Sequence, residues 1–75
     1  MTDTEEHHVI LFDSVHYALR SEKILKEMGI SHKLIPVPRH ISSDCGICIR
    51  FTVDLRNRIE EALAGKVDIR EIRPL

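Results

Sequence analysis

The chain reads as an α+β protein of order βαββαβ. The expected form is a two-layer sandwich, an antiparallel sheet with two helices on one face, the ferredoxin-like arrangement. Three observations lead there. Short β-branched runs recur at residues 8–12, 30–37, 45–51 and 67–72. Two stretches between them carry apolar residues at helical spacing. Each of those stretches is closed by a glycine, Gly29 and then Gly65.

His8-Val-Ile-Leu-Phe12 is a compact apolar run and predicts the first strand. Asp13 and Ser14 follow as alternative N-caps, each able to accept from a free helical amide. The first helix runs to about Met28, with Val15, Ala18, Leu19, Leu25 and Met28 on its apolar side and Ile24 at the margin. Glu22 falls on that side too and is expected to pair with Lys26 at i+4. A second strand spans 30–37 and ends where Pro36 and Pro38 forbid ladder donors. After a loop of residues 39–44, Cys45 to Phe51 gives a third strand. Thr52 or Asp54 then caps a second helix, whose Leu55, Ile59, Ala62 and Leu63 fall at i, i+4, i+7 and i+8. Val67 to Ile72 is the last strand. The right-handed crossover rule applies to strand 1, helix 1 and strand 2, with strand 3 between them.

Composition narrows the function classes. Seventy-five residues form one domain with one small core, residues 1–7 being its expected frayed end. The balance of 43% hydrophobic and 31% charged residues is that of a globular protein. A net charge of −1, with no basic stripe and with Phe12, Tyr17 and Phe51 as the aromatic residues, speaks against nucleic-acid binding. The longest apolar run is Val9–Phe12, too short to span a bilayer. The acidic N-terminus is unlike a signal peptide, so a cytoplasmic location without membrane association is the expectation. There, two cysteines are more often core, metal-binding or reactive than a structural disulfide.

The stretch Pro38-Arg39-His40-Ile41-Ser42-Ser43-Asp44-Cys45-Gly46 carries the chemistry. A thiol reacts as its thiolate, which persists where donors and positive charge surround it. In the expected topology this loop lies at the same end of the sheet as the start of the first helix. Cys45 should then sit near Asp13, Ser14 and His16, where free helical amides favour an anion. Arg39 adds a permanent charge, Ser42 and Ser43 add donors, and Asp44 opposes them. The sum favours a partly ionised, reactive thiol at Cys45, with His16 as a candidate base or proton donor. The alternatives are a small buried residue at Cys45 and an exposed helix residue at His16.

Cys45-Gly46-Ile47-Cys48 is a Cys-x-x-Cys, yet it enters a strand rather than a helix. Alternation puts Cys45, Ile47, Ile49 and Phe51 on one face and Cys48 with Arg50 on the other. Three strand residues separate the two Cα atoms by about 10 Å, beyond the roughly 7 Å reach of a disulfide. Cys48 is expected half-exposed on an uncovered sheet face with Ile10, Phe12 and Arg50, a patch suited to a partner or a homodimer. The five histidines show no helical ligand pair; His7 and His8 fall in the expected fray, and His32 and His40 read as solvated. No metal or other cofactor is expected.

At these residues the chain resembles the small bacterial family of selenium/sulfur carrier-like proteins. The matching features are Phe12-Asp-Ser14, Ala18 with Glu22 and Leu25, Gly29-Ile30, and above all Pro-x-Pro-Arg-x-Ile-Ser-x-x-Cys-Gly over residues 36–46. The resemblance implies a thiol that transiently carries sulfur or selenium as a persulfide or selenopersulfide. Cys45 matches the motif's cysteine, whereas Cys48 stands where the family pattern has a small apolar residue, and no role is carried over to it. A carrier rather than a stand-alone enzyme is implied, with donor and acceptor proteins as partners. Two other readings stay open: a metal-binding module using Cys45, Cys48 and a histidine, and an interaction domain independent of both cysteines.

Overall fold

A computed structural model describes residues 6–41 and 46–75. The elements are β1 (His7–Leu11), α1 (Val15–Glu27), β2 (Lys33–Pro36), β3 (Ile47–Thr52), α2 (Arg56–Leu63) and β4 (Glu71–Pro74), with a 3-10 turn at Val53–Leu55 leading into α2. The strands form one sheet of order β2-β3-β1-β4, and every pairing in it is antiparallel. Strand β3 thus lies between β1 and β2, as expected.

The helix ends follow local chemistry. Ser14 is the N-cap of α1, its side chain accepting from the Tyr17 amide at 3.4 Å. At the other end Gly29 has φ +71°, the left-handed conformation that lets the Gly29 and Ile30 amides turn back to the Lys26 and Leu25 carbonyls.

Register decides which residue faces what. Ile10 is opposite Ile49 and Ile72, and these residues pack with Phe12, Phe51, Ala18, Leu25, Ile59 and Leu63 in the core beneath both helices. Val9, Leu11 and Cys48 point the other way and form a second buried cluster with Ile41, against which Ile35 and Val37 pack. This corrects the expected faces. Ile10 and Phe12 lie on the helix side, and the far side is covered around Val9, Leu11 and Cys48 rather than open there. Cys48 has no exposed surface instead of being half-exposed, because the chain after β2 folds back over it. The fold-back is a turn in which the Ile41 amide donates to the Pro38 carbonyl at 3.0 Å, and Ile41 is left 4% exposed.

Helix α1 is rotated from its expected phase. Ala18, Ser21 and Leu25 are its buried residues, while Val15, Leu19 and Met28 are 45%, 50% and 54% exposed. Glu22 does not take up Lys26; its Oε2 lies 3.0 Å from Nε2 of His32. His32 is accordingly not solvated, its side chain being 7% exposed. His7 and His8, expected in a frayed end, are strand residues opposite Thr52 and Phe51.

Strand limits shift for related reasons. Residues 30–32 return the chain from α1, with Ile30 buried, so β2 pairs only from Lys33. Gly46 has φ +85°, outside the β region, and β3 begins after it. Val67 and Ile69 alternate because they pack on the helix-side core as the chain crosses to the β1 edge, and β4 starts only at Glu71.

Candidate functional site

The site expected from sequence lies where β1 ends, α1 begins and β3 starts. Because β1 and β3 are antiparallel, with Ile10 opposite Ile49, the start of β3 and the end of β1 share one end of the sheet. Ser14, the cap of α1, follows β1 directly. Gly46 precedes β3, and its carbonyl accepts from the Val37 amide at 3.1 Å, which ties the exit of β2 to the same end. Gly46, Ser14 and the turn bearing Arg39 are therefore gathered at that end.

Cys45, Ser42, Ser43 and Asp44 lie outside the described residues, and so does the expected approach of Cys45 to Asp13, Ser14 and His16. The frame around them is defined. Arg39 and His40 occupy the exposed middle of the Pro38–Ile41 turn. His16 is exposed in the first turn of α1, its ring 5.9 Å from that of Tyr17 between centroids. The amides of Val15 and His16 precede the first intrahelical hydrogen bond, in which Ala18 donates to Ser14 at 3.3 Å. Among the described residues nothing approaches Gly46 closely enough to block a Cβ, and its φ of +85° is the conformation that favours glycine.

Sequence reasoning missed Arg70. Its amide donates to the Leu11 carbonyl at 2.9 Å, and Nη1 lies 3.8 Å from Oδ1 of Asp13. A second cation thus reaches the residue before the cap of α1. Asp13, considered as an alternative cap, instead faces this arginine. No local pattern marks Arg70, because the contact depends on how the segment before β4 meets β1.

Cys48 is separated from this end by its environment. Its neighbours are the aliphatic side chains of Val9, Leu11 and Ile41, and Sγ lies 4.0 Å from the Pro36 carbonyl oxygen. Among the described residues, no group of three or more His, Cys, Asp and Glu side chains is arranged to hold a metal, and no helix is long and apolar enough to cross a membrane.

Over residues 7–74, nearly its whole length, the chain matches the family model described as "Putative Se/S carrier protein-like". No curated protein and no solved structure matches it. The match spans every strand and both helices, together with the Pro36–Gly46 block, and on that basis the chain belongs to the Se/S carrier protein-like family.

Proposed function

We propose that this protein is a small carrier that takes up sulfur or selenium on the Cys45 thiol and hands it to a partner enzyme. One observation carries the reading: Gly46, next to Cys45 in sequence, lies at the sheet end where Ser14 opens α1, in a chain whose family is named for Se/S carriage. The strand order β4-β1-β3-β2 with two crossover helices is read as ferredoxin-like, a scaffold that gathers the β1–α1 and β2–β3 connections at one end.

The chemistry is thiol exchange. The Cys45 thiolate attacks the outer sulfur of a donor persulfide, R–S–SH. A sulfur–sulfur bond forms at Cys45, the donor's bond breaks, and R–S⁻ leaves with the electron pair, so no net oxidant is required. Delivery repeats the step, with an acceptor thiolate attacking the carried atom. Selenium transfers in the same way as a selenopersulfide. The first amides of α1, Arg39, Ser42 and Ser43 stabilise the anionic forms, Gly46 sets the turn, and His16 supplies or accepts a proton. Val15 and Leu19, exposed one turn apart on α1 beside the cap, offer apolar surface for donor, acceptor or a second copy. A cytoplasmic setting, where thiols stay reduced, suits this cycle.

The test is intact-protein mass spectrometry after incubation with a cysteine desulfurase and cysteine, on wild type, Cys45→Ser and Cys48→Ala. A reductant-sensitive gain of one sulfur, lost in Cys45→Ser and kept in Cys48→Ala, is expected. Loading that follows Cys48 instead would sink the assignment. Repeating the incubation with a selenium donor distinguishes the two cargoes.

A further inference from the structure

The opposite end of the sheet carries a feature that thiol chemistry does not use. Lys33 and Arg50 are directly opposite each other in the β2–β3 ladder, so their side chains leave the same face. Like charges in that relation are destabilising. Neither has an ion-pair partner among the described residues. Glu22 of the helix layer faces the His32 ring at 3.0 Å. Glu6 is exposed, and its backbone carbonyl, accepting from the Val53 amide, is what ties it here.

Around the two cations lies a cleft of about 260 Å³, lined also by His7, Ser31, His32 and Thr52. Among the described residues, no carboxylate lines it. Its chemistry is a guanidinium fork, an ammonium group, hydroxyls and the His7 imidazole, with the two cations held on paired strands. We propose that this cleft binds a tetrahedral oxyanion of the phosphate class, either free or as the terminal group of a small monoester. Arg50 supplies the planar fork that matches two oxygens, and Lys33 supplies a point charge. Ser31 and Thr52 donate from the rim. The cleft is about 13 Å along β3 from Gly46, at 3.3 Å per residue, so an anion bound there is not at the reacting thiol. The assignment is independent of sulfur loading and stands or falls without it.

The experiment is a titration of the ¹⁵N-labelled full chain with sodium phosphate, and separately with glycerol 1-phosphate, at constant ionic strength held with chloride. Saturable shifts centred on Ser31, Lys33, Arg50 and Thr52 are expected. Arg50→Gln and Lys33→Gln should each weaken binding about tenfold, as expected for losing one charge-assisted contact. Exposed Arg58→Gln on α2 and Cys45→Ser should leave it unchanged. Because removing either cation relieves a like-charge pair, both cleft variants should keep or raise the thermal midpoint, which separates lost binding from lost structure. Tighter binding of the ester assigns the cleft to a phosphorylated small molecule, and equal binding assigns it to the free anion. A response that does not saturate, spreads evenly over exposed basic residues, or survives in the Lys33→Gln/Arg50→Gln double variant overturns the proposal.

Discussion

His32 and Glu22 join the segment entering β2 to the middle of α1. Nε2 of the ring lies 3.0 Å from the Glu22 Oε2, and Nδ1 lies 2.7 Å from the Ile30 carbonyl oxygen. Acceptors thus face both nitrogens of a ring that is nearly buried. A neutral imidazole can donate to one of them, and the imidazolium to both.

Glu22→Ala should cost about 1–2 kcal/mol, the range for leaving a buried donor without its acceptor. Lys26→Ala should stay within about 0.5 kcal/mol, as surface substitutions do. Urea unfolding of the two variants and of Glu22→Ala/His32→Ala measures the coupling. Equal losses for Glu22→Ala and Lys26→Ala would return Glu22 to an ordinary surface pair.

Ser14→Ala should destabilise by about 0.5–1 kcal/mol, the lower part of the N-cap range, since its bond to the Tyr17 amide is long. Ser14→Asp should restore the loss, because aspartate caps as well and its charge suits a helix start. Asp13→Ala should show no capping loss. Thermal denaturation of the three variants makes the comparison, and a larger loss at Asp13 would move the cap to that residue.

Gly46→Ala should cost about 1–2 kcal/mol, because φ +85° places an L residue in the left-handed region. No described residue lies within 4 Å of the added Cβ, so none of them adds a packing loss. Gly46→Asn should cost less, since asparagine tolerates that region better. Equal costs for alanine and asparagine, read from chemical denaturation, would point to a clash instead of backbone strain.

Cys48 should resist alkylation in the native state and react only on unfolding, because it is fully buried among aliphatic side chains. In a Cys45→Ser background, iodoacetamide labelling followed by mass spectrometry should show no fast thiol. Ile41→Ala removes part of the cover. It should cost about 2–3 kcal/mol, the lower end for an isoleucine truncated in a core, and should speed labelling of Cys48. Unchanged labelling in Ile41→Ala would mean that Ile41 is not what shields the thiol.

The element order and the ends of α1 were legible because they depend on local chemistry; the cap expected of Thr52 or Asp54 was not found, since the N-cap position of α2 is Leu55 and no side chain bonds there. Ser14 and Gly29 act within a turn of where they stand, and the sequence carries that information directly. The sheet faces were not. Val9 and Ile10 are both fully buried, so β1 has no polar alternation from which to read a phase. The same applies to α1, where Ser21 is buried and Leu19 is half-exposed, against what hydrophobicity alone suggests. Ile41 was missed as a core residue because its burial depends on a turn returning to the sheet. Arg70 and the Lys33–Arg50 pair were invisible for a related reason, since only strand register brings such residues together. For the candidate site, the Pro36–Gly46 block could be recognised as a motif, while the frame around it, with Arg70 beside Asp13, emerged only with the fold.

Strand β3 has one further property, which follows from its two buried faces. Ile49 and Phe51 point into one core and Cys48 into the other, with Arg50 just beyond it. A slip of one residue against β1 would exchange the faces and push Arg50 beneath the helices. A slip of two would keep the faces but, in one direction, bring Arg50 to the fully buried place of Cys48 and, in the other, put Gly46 there with no side chain to fill it. Each error carries a buried charge or an unfilled core position. The strand therefore works as a ruler with a single reading, and the start of the Gly46 turn is fixed along the sheet to the residue. Any molecule that touched both α1 and that turn would meet them at a constant offset, so recognition there would be set by distance as well as by shape.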